Sequence, residues 1–207
     1  MKFDHTDIVS KVKQLYHKYG IKSVTMDDVA RELNVSKKTL YQCVADKEDL
    51  VSKVIQLEFS QAEKEINKII ESETNALEIS FQISEVMRKK INEYPATAEY
   101  DLKKYYPEIY KDLKIKQREK MLSSFISNMS LGISQGYFRE DLKPEIIARL
   151  QVMRIGSKNE EMFHDLIDYS LDDIFKEIFI YHLRGICSKK GIEYLENKIL
   201  NIKKDED

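Results

Sequence analysis

Residues 25–50 read TMDDVARELNVSKKTLYQCVADKEDL, and three short helical signatures follow one another inside them. The first opens at Thr25, with Asp28 three residues on. A hydroxyl and a carboxylate at that spacing can each take an orphan backbone N–H of a new helix. Val29, Ala30 and Leu33 then form one apolar stripe. Asn34 stops the helix because it tolerates the left-handed conformation, and Val35 plugs the turn. Ser36 caps the second helix, whose first turn is Lys37-Lys38-Thr39, without an acid at the third helical position. Free N–H groups and a positive dipole end, flanked by two lysines, suit a phosphate or a base edge. Leu40 points inward. Asp46 with Asp49 starts the third helix, and Lys47 is its first residue.

Two helices joined by a short turn, the second polar and basic on its outer side, make the helix-turn-helix pattern. A solvated helical hairpin is the plainer reading, but caps, turn and apolar anchors here coincide. Net charge is −2, which excludes a generally basic, DNA-coating protein. Residues 1–50 hold nine Lys/Arg against eight Asp/Glu, and the remainder 25 against 28. Attraction for DNA is therefore local, from Lys37, Lys38, Lys47 and helix ends with Lys22 nearby, as in a sequence-specific reader.

The stretch VTMDDVARELNVSKKTLYQCVADKEDL resembles the DNA-binding signature of the tetracycline-repressor (TetR) family of bacterial transcription regulators. The matching elements are Thr25, Val29-Ala30, the Val35-Ser36 turn, Thr39-Leu40-Tyr41 and Lys47-Glu48-x-Leu50, with Leu15-Tyr16 and Gly20-Ile21 upstream. Two positions depart from the family pattern. Asn34 stands where Gly is usual, and Cys43-Val44 where an aromatic residue is usual, so the packing under the second helix is expected to be looser. The resemblance implies that Thr25, Tyr41 and Lys47 contact phosphate. By position, Lys37, Lys38 and Gln42 face the groove, with Thr39 and Tyr41 along its walls. The expected DNA-binding set is thus Thr25, Ser36, Lys37, Lys38, Thr39, Tyr41, Gln42 and Lys47.

The rest of the chain is helical by periodicity, with 42% apolar residues, three Pro and six Gly, so the fold class is all-α, with nine to ten helices. A first helix over residues 4–19 precedes the signature, turning Ile8, Val12, Leu15, Tyr16 and Tyr19 to one side. The helix from Lys47 extends to about Ile70 and links the DNA-binding unit to the rest of the chain, so a shift in its angle would move the recognition helix. Further helices are expected over residues 75–93, 96–105 and 107–136. Pro144 opens the eighth, with Ile146, Ile147, Leu150 and Met153 inward. It is expected to break at Gly156-Ser157 and to continue over residues 160–167. Ser170 with Asp173 caps the ninth, the most apolar helix, which Gly185 ends. A last helix covers residues 188–202, before a frayed tail. The domains expected are residues 1–48, the helix-turn-helix domain, and residues 49–207, a helical effector-binding and dimerisation domain. The runs Gly132–Arg139 with Pro144, and Leu183–Ile186 with Lys190-Gly191, also resemble helix junctions of the family's regulatory half, in which middle helices enclose an effector and the last large helices pair two subunits.

No catalytic, cofactor-binding or metal-binding constellation is present. Glu161 and His164 make a single Glu-x-x-His pair, where di-iron bundles need two and further glutamates. Ser10-x-x-Lys13 lacks the companions of a β-lactamase site. Cys43 and Cys187 lie far apart without metal spacing. No secretion signal or membrane-spanning run is visible, so a cytoplasmic location is expected. Tyrosines gather around residues 94–110. Phe81, Met87, Tyr105, Tyr110, Met121, Phe125 and Met129 are candidates to line a pocket for a flat or apolar effector. Leu150, Met153, Leu171, Ile174, Phe175, Ile178, Phe179 and His182 are candidates for a homodimer interface, because the ninth helix is apolar around much of its circumference. The expectation is a DNA-binding transcription regulator, a homodimeric repressor released from a palindromic operator by a small molecule. The alternative is a ligand-binding or scaffolding bundle of the same shape that has lost DNA binding.

Overall fold

The computed structural model describes residues 5–93, 95–156 and 168–206. Ten helices account for nearly all of them: α1 (His5–Tyr19), α2 (Met26–Glu32), α3 (Lys37–Leu40), α4 (Lys47–Ser72), α5 (Ala76–Glu93), α6 (Ala96–Tyr105), α7 (Pro107–Ser134), α8 (Pro144–Gly156), α9 (Leu171–Ile186) and α10 (Lys189–Glu206). The all-α expectation holds, and Pro107 and Pro144 each open a helix as expected. The chain divides into two compact units, Met1–Glu65 with Lys90–Gln117, and Ile66–Lys89 with Arg118–Asp207.

The first unit is built on α1 to α3. Ile8, Val12 and Tyr16 of α1 meet Val29, Ala30 and Leu33 of α2 and Leu40 of α3 in one core. Burying each such large side chain stabilises the unit by about 1.5–3 kcal/mol. Leu50, Val51, Val54 and Ile55 of α4 join this core, and so does Leu102 of α6, with Tyr106, Ile109, Tyr110 and Leu113 packed against it. Helical periodicity around residue 105 gives no sign that these side chains belong with the first three helices. A second tie runs from α1 to α4: His17 Nε2 lies 2.6 Å from Glu58 Oε1, and Lys13 Nζ donates to Gln61 Oε1 at 3.2 Å.

The second unit centres on Ala76, Leu77, Phe138, Leu183, Ile186, Cys187 and Leu195. Its centre depends on a turn. Phe138 and Cys187 form an isolated antiparallel bridge, with Arg139 N–H donating to Ile186 O at 3.0 Å and Ser188 N–H to Tyr137 O at 2.9 Å. Two close approaches fix it. A Cβ on Gly132 would overlap the Phe138 ring, and one on Gly191 would overlap the Tyr137 carbonyl oxygen. The Ser170/Asp173 capping box of α9 forms as expected. The helix runs one residue past Gly185, however, and stops where Cys187 turns extended, because Ser188 Oγ accepts Gly191 N–H to start α10.

One expected face is corrected. In α8, Ile146, Leu150 and Met153 are not inward but 53%, 56% and 68% exposed, while Ala148, Gln151 and Val152 are buried. Two apolar stripes lie on this helix, and composition does not say which one meets its own chain. On α9, Leu183 and Ile186 are buried in the core and Phe179 is packed against it, with its ring edge-on to Phe81 at 5.2 Å. Ile174, Phe175 and Ile178 are half-buried outside that cluster, and Tyr181 is 76% exposed. His182 is held neutral, its pKa pushed down to about 4 by burial and then by Arg154 of α8, so α8 and α9 are neighbours. Ser157, residues 160–167 with the Glu161/His164 pair, Tyr94 and the side chain of Leu171 lie outside the described residues.

Candidate nucleic-acid interface

The entry to α2 is a capping box. Thr25 Oγ1 accepts Asp28 N–H at 3.2 Å, and Asp28 Oδ2 accepts Thr25 N–H at 2.9 Å. The Thr25 hydroxyl and amide, with Arg31 beside them, hold the Asp28 carboxyl below the usual carboxylate range. The exit is a Schellman turn. Asn34 sits at φ +53°, its N–H donates to Arg31 O at 3.1 Å, and Val35 N–H donates to Ala30 O at 2.9 Å. Asn34 therefore occupies a position where a Cβ costs free energy that Gly escapes. Asn34→Gly is expected to raise stability by a few tenths to about 1 kcal/mol, and Asn34→Ala to lower it by about 1 kcal/mol. Thermal unfolding of the three proteins checks the order, and an alanine variant as stable as wild type would contradict the turn assignment.

The turn delivers α3. Ser36 Oγ accepts Thr39 N–H at 3.0 Å and shares a 2.8 Å hydrogen bond with the Thr39 hydroxyl. Leu40 is fully buried and anchors the helix. Beyond it, Cys43 N–H and Val44 N–H both donate to Leu40 O, at 2.9 and 3.2 Å. Val44 is buried in the core and Cys43 is packed against it, at the positions where an aromatic residue is usual in the family. With Leu40 inward, Lys38, Tyr41 and Gln42 share an exposed face at i, i+3 and i+4. Lys37 is paired with Asp27 of α2 across the turn. Sequence reasoning missed that partner, although an acid in the first turn of α2 is visible there.

The start of α4 differs in detail from the capping box read from the sequence. Asp46 Oδ1 accepts Asp49 N–H at 2.8 Å, but Asp49 Oδ2 reaches Ala45 N–H at 2.9 Å and Lys53 Nζ at 2.7 Å. Lys47 is half-buried. Its Nζ donates to Lys22 O at 3.0 Å, and burial lowers its pKa against the pull of Asp101 and Asp28. Thr25, Ser36, Lys38, Tyr41 and Gln42 are exposed, and Thr39 is half-buried.

The candidate effector residues are divided between the units. Tyr110 packs against the core of the first unit, and Tyr105 accepts a 2.7 Å hydrogen bond there from Lys22 Nζ. In the second unit Met129 is buried, while Phe81, Met87, Met121 and Phe125 are half-buried. Between α5 and α7, Asn128 Nδ2 donates to Ala76 O at 3.0 Å and to Ser80 Oγ at 2.9 Å. Shallow surface depressions form elsewhere, one around Arg139, Ser188, Ile192 and Glu193 and one around Ile55, Phe59, Ile109 and Leu113. Among the described residues no cluster of His, Cys, Asp or Glu is arranged to hold a metal ion, and no helix is long and apolar enough to cross a membrane.

Residues 8–54, from the first core residue of α1 to the second turn of α4, match the family model for bacterial regulatory proteins of the tetR family. The match is confined to this N-terminal stretch of the chain. The chain's fold is also that of solved regulators. A transcriptional regulator from Cytophaga hutchinsonii ATCC 33406 aligns over 87% of this chain and 97% of its own, at 19% identity and TM-score 0.69. A TetR-family regulator from Cytophaga hutchinsonii aligns over 89% and 95%, at 12% identity and TM-score 0.70. AibR, solved in complex with isovaleryl coenzyme A and operator DNA, aligns over 72% and 81%, at 14% identity and TM-score 0.53. No curated protein matches the sequence. Within the matched residues α2 and α3 are the helix-turn-helix pair.

Proposed function

We propose that this chain is a sequence-specific DNA-binding transcription regulator, a homodimeric repressor released from a near-palindromic operator by a small molecule. The observation that carries the reading is the outer face of α3. A Ser36 cap and a buried Leu40 hold the helix, and Lys38, Tyr41 and Gln42 stand free in solvent within residues that match the TetR-family model. Residues 1–48 act as the DNA-binding module, and residues 49–207 serve effector binding and dimerisation. Lys38 offers donors to guanine O6/N7 and Gln42 a donor–acceptor pair to adenine N6/N7. Thr25, Ser36, Thr39, Tyr41 and Lys47 set register on the phosphates, and Lys37 joins them on leaving Asp27. The two copies of α3 sit about one DNA turn apart, roughly 34–36 Å.

Two further observations support the dimer and the effector. α8 exposes an apolar stripe and α9 keeps Ile174, Phe175 and Ile178 half-buried, apolar surface of the kind a water-excluding interface uses. Phe81, Met87, Met121, Phe125 and Met129 put adaptable apolar side chains on α5 and α7. The structural neighbour AibR was solved with both an acyl-coenzyme A and operator DNA.

The test is affinity against a half-site substitution library at two salt concentrations. Lys38→Ala and Gln42→Ala are expected to cost about 1–3 kcal/mol on the cognate site and to relax preference at one base pair per half-site. Tyr41→Phe is expected to weaken binding evenly over all variants. An even loss from Lys38→Ala and Gln42→Ala would mean that they do not read bases.

A further inference from the structure

We propose that a row of alternating lysines and tyrosines, running from Lys47 through Lys22, Tyr105 and Lys104 to Tyr100, is a second DNA-contact surface that grips phosphates outside the half-site read by α3. The inference rests on the DNA-binding reading above. Lys22 is the centre of the row. Its backbone N–H donates to Asp101 Oδ2 at 2.8 Å, and its carbonyl accepts Lys47 Nζ at 3.0 Å. Its Nζ donates to the Tyr105 hydroxyl at 2.7 Å and lies 4.4 Å from the Tyr105 ring centroid. Lys104 continues the row, 5.4 Å from the Tyr105 centroid and 5.1 Å from that of Tyr100, whose hydroxyl it meets at 2.8 Å. All of these residues belong to the first unit, which also holds α3.

The chemistry favours a polyanion. α6 turns Ala98 and Leu102 into the core, which leaves Tyr100, Lys104 and Tyr105 in solvent. Three lysines are therefore linked in succession through these contacts. Two acids border the row at Lys47: Asp101, which accepts the Lys22 amide, and Asp28, which accepts the Thr25 amide. Lysines resting on aromatic faces lose little further freedom when they meet a charged partner. Each tyrosine hydroxyl that accepts from a lysine keeps its own proton to donate to a phosphate oxygen. Lys22 and Lys104 both draw the Tyr105 hydroxyl below its usual pKa, which sharpens it as a donor. Lys22 lies three residues before Thr25, the cap of α2, and Lys47 opens α4, so the row starts at and next to residues proposed above to meet phosphate.

The test uses the full chain and a binding site selected from a random duplex library. Affinity is measured on two synthetic duplexes, the selected core and the same core lengthened on each side by roughly half a helical turn, over a series of salt concentrations. Wild type is expected to bind the longer duplex more tightly and with a steeper salt dependence. The double variant Lys104→Ala/Tyr100→Phe is expected to match wild type on the core, to lose the gain on the longer duplex, and to flatten the slope there by about 0.9 per phosphate contact removed. Lys104→Arg is expected to keep the gain. Equal wild-type affinity for the two duplexes, or a double variant that matches wild type on both or weakens equally on both, would overturn the proposal. A wild type that selects no duplex at all would instead overturn the DNA-binding reading.

Discussion

Ile178→Glu is expected to sediment as a monomer and to lose specific hold on the operator, with affinity falling toward the nonspecific level, by about 10³ or more. The apolar residues of α9 have two different fates. Leu183 and Ile186 are spent in the core of their own unit, and Phe179 packs there against Phe81. Ile174 and Ile178 are only half-buried, and α8 exposes Ile146, Leu150 and Met153. Apolar stripes left in water invite a second copy, and twofold symmetry places the same stripes on both sides. A carboxylate at the centre of such an interface is desolvated without a partner, which obligate contacts do not tolerate. Phe179→Glu would unfold the unit rather than split the pair, because its ring has an intrachain partner. Sedimentation at micromolar concentration, followed by operator titration, separates the outcomes. A dimeric Ile178→Glu protein would show that the interface lies elsewhere.

Gly191→Ala is expected to lower stability by about 1–3 kcal/mol, which is a fall in Tm of roughly 2–12 °C for a chain of this length. The new methyl would overlap the Tyr137 carbonyl oxygen and sit 3.0 Å from Cys187 Cβ. That carbonyl cannot retreat without giving up its 2.9 Å hydrogen bond from Ser188 N–H, in the turn that joins α9 to α10. Gly132→Ala faces a side chain instead, the Phe138 ring, which is 1% exposed and closely surrounded. Gly185→Ala is the control. It lies within α9 with open space around it, so the change is expected to stabilise by about 0.5–1 kcal/mol. Thermal unfolding of the three variants checks the order. A Gly191→Ala protein that melts with wild type would contradict the packing of this turn.

Local chemistry determined much of the helix-turn-helix on its own. The Thr25/Asp28 box, the left-handed Asn34, the Ser36 cap and the inward Leu40 all involve residues within four or five positions of one another, so spacing alone specifies them. The order of the helices and their ends at Pro107, Pro144 and Ser170 were legible for the same reason. What stayed hidden depends on contacts between residues far apart in the chain. Lys22 meets Asp101 and Tyr105 across about eighty residues, and no periodicity in either segment announces the other. The division of apolar stripes was equally invisible. A hydrophobic pattern says that Ile146, Leu150, Ile178 and Phe179 avoid water, but not whether the chain itself or a second copy covers them. Packing showed only that the chain itself covers Phe179, through Phe81, and leaves Ile146, Leu150 and Ile178 outside its core, because the hydrophobic effect rewards burial without naming the partner.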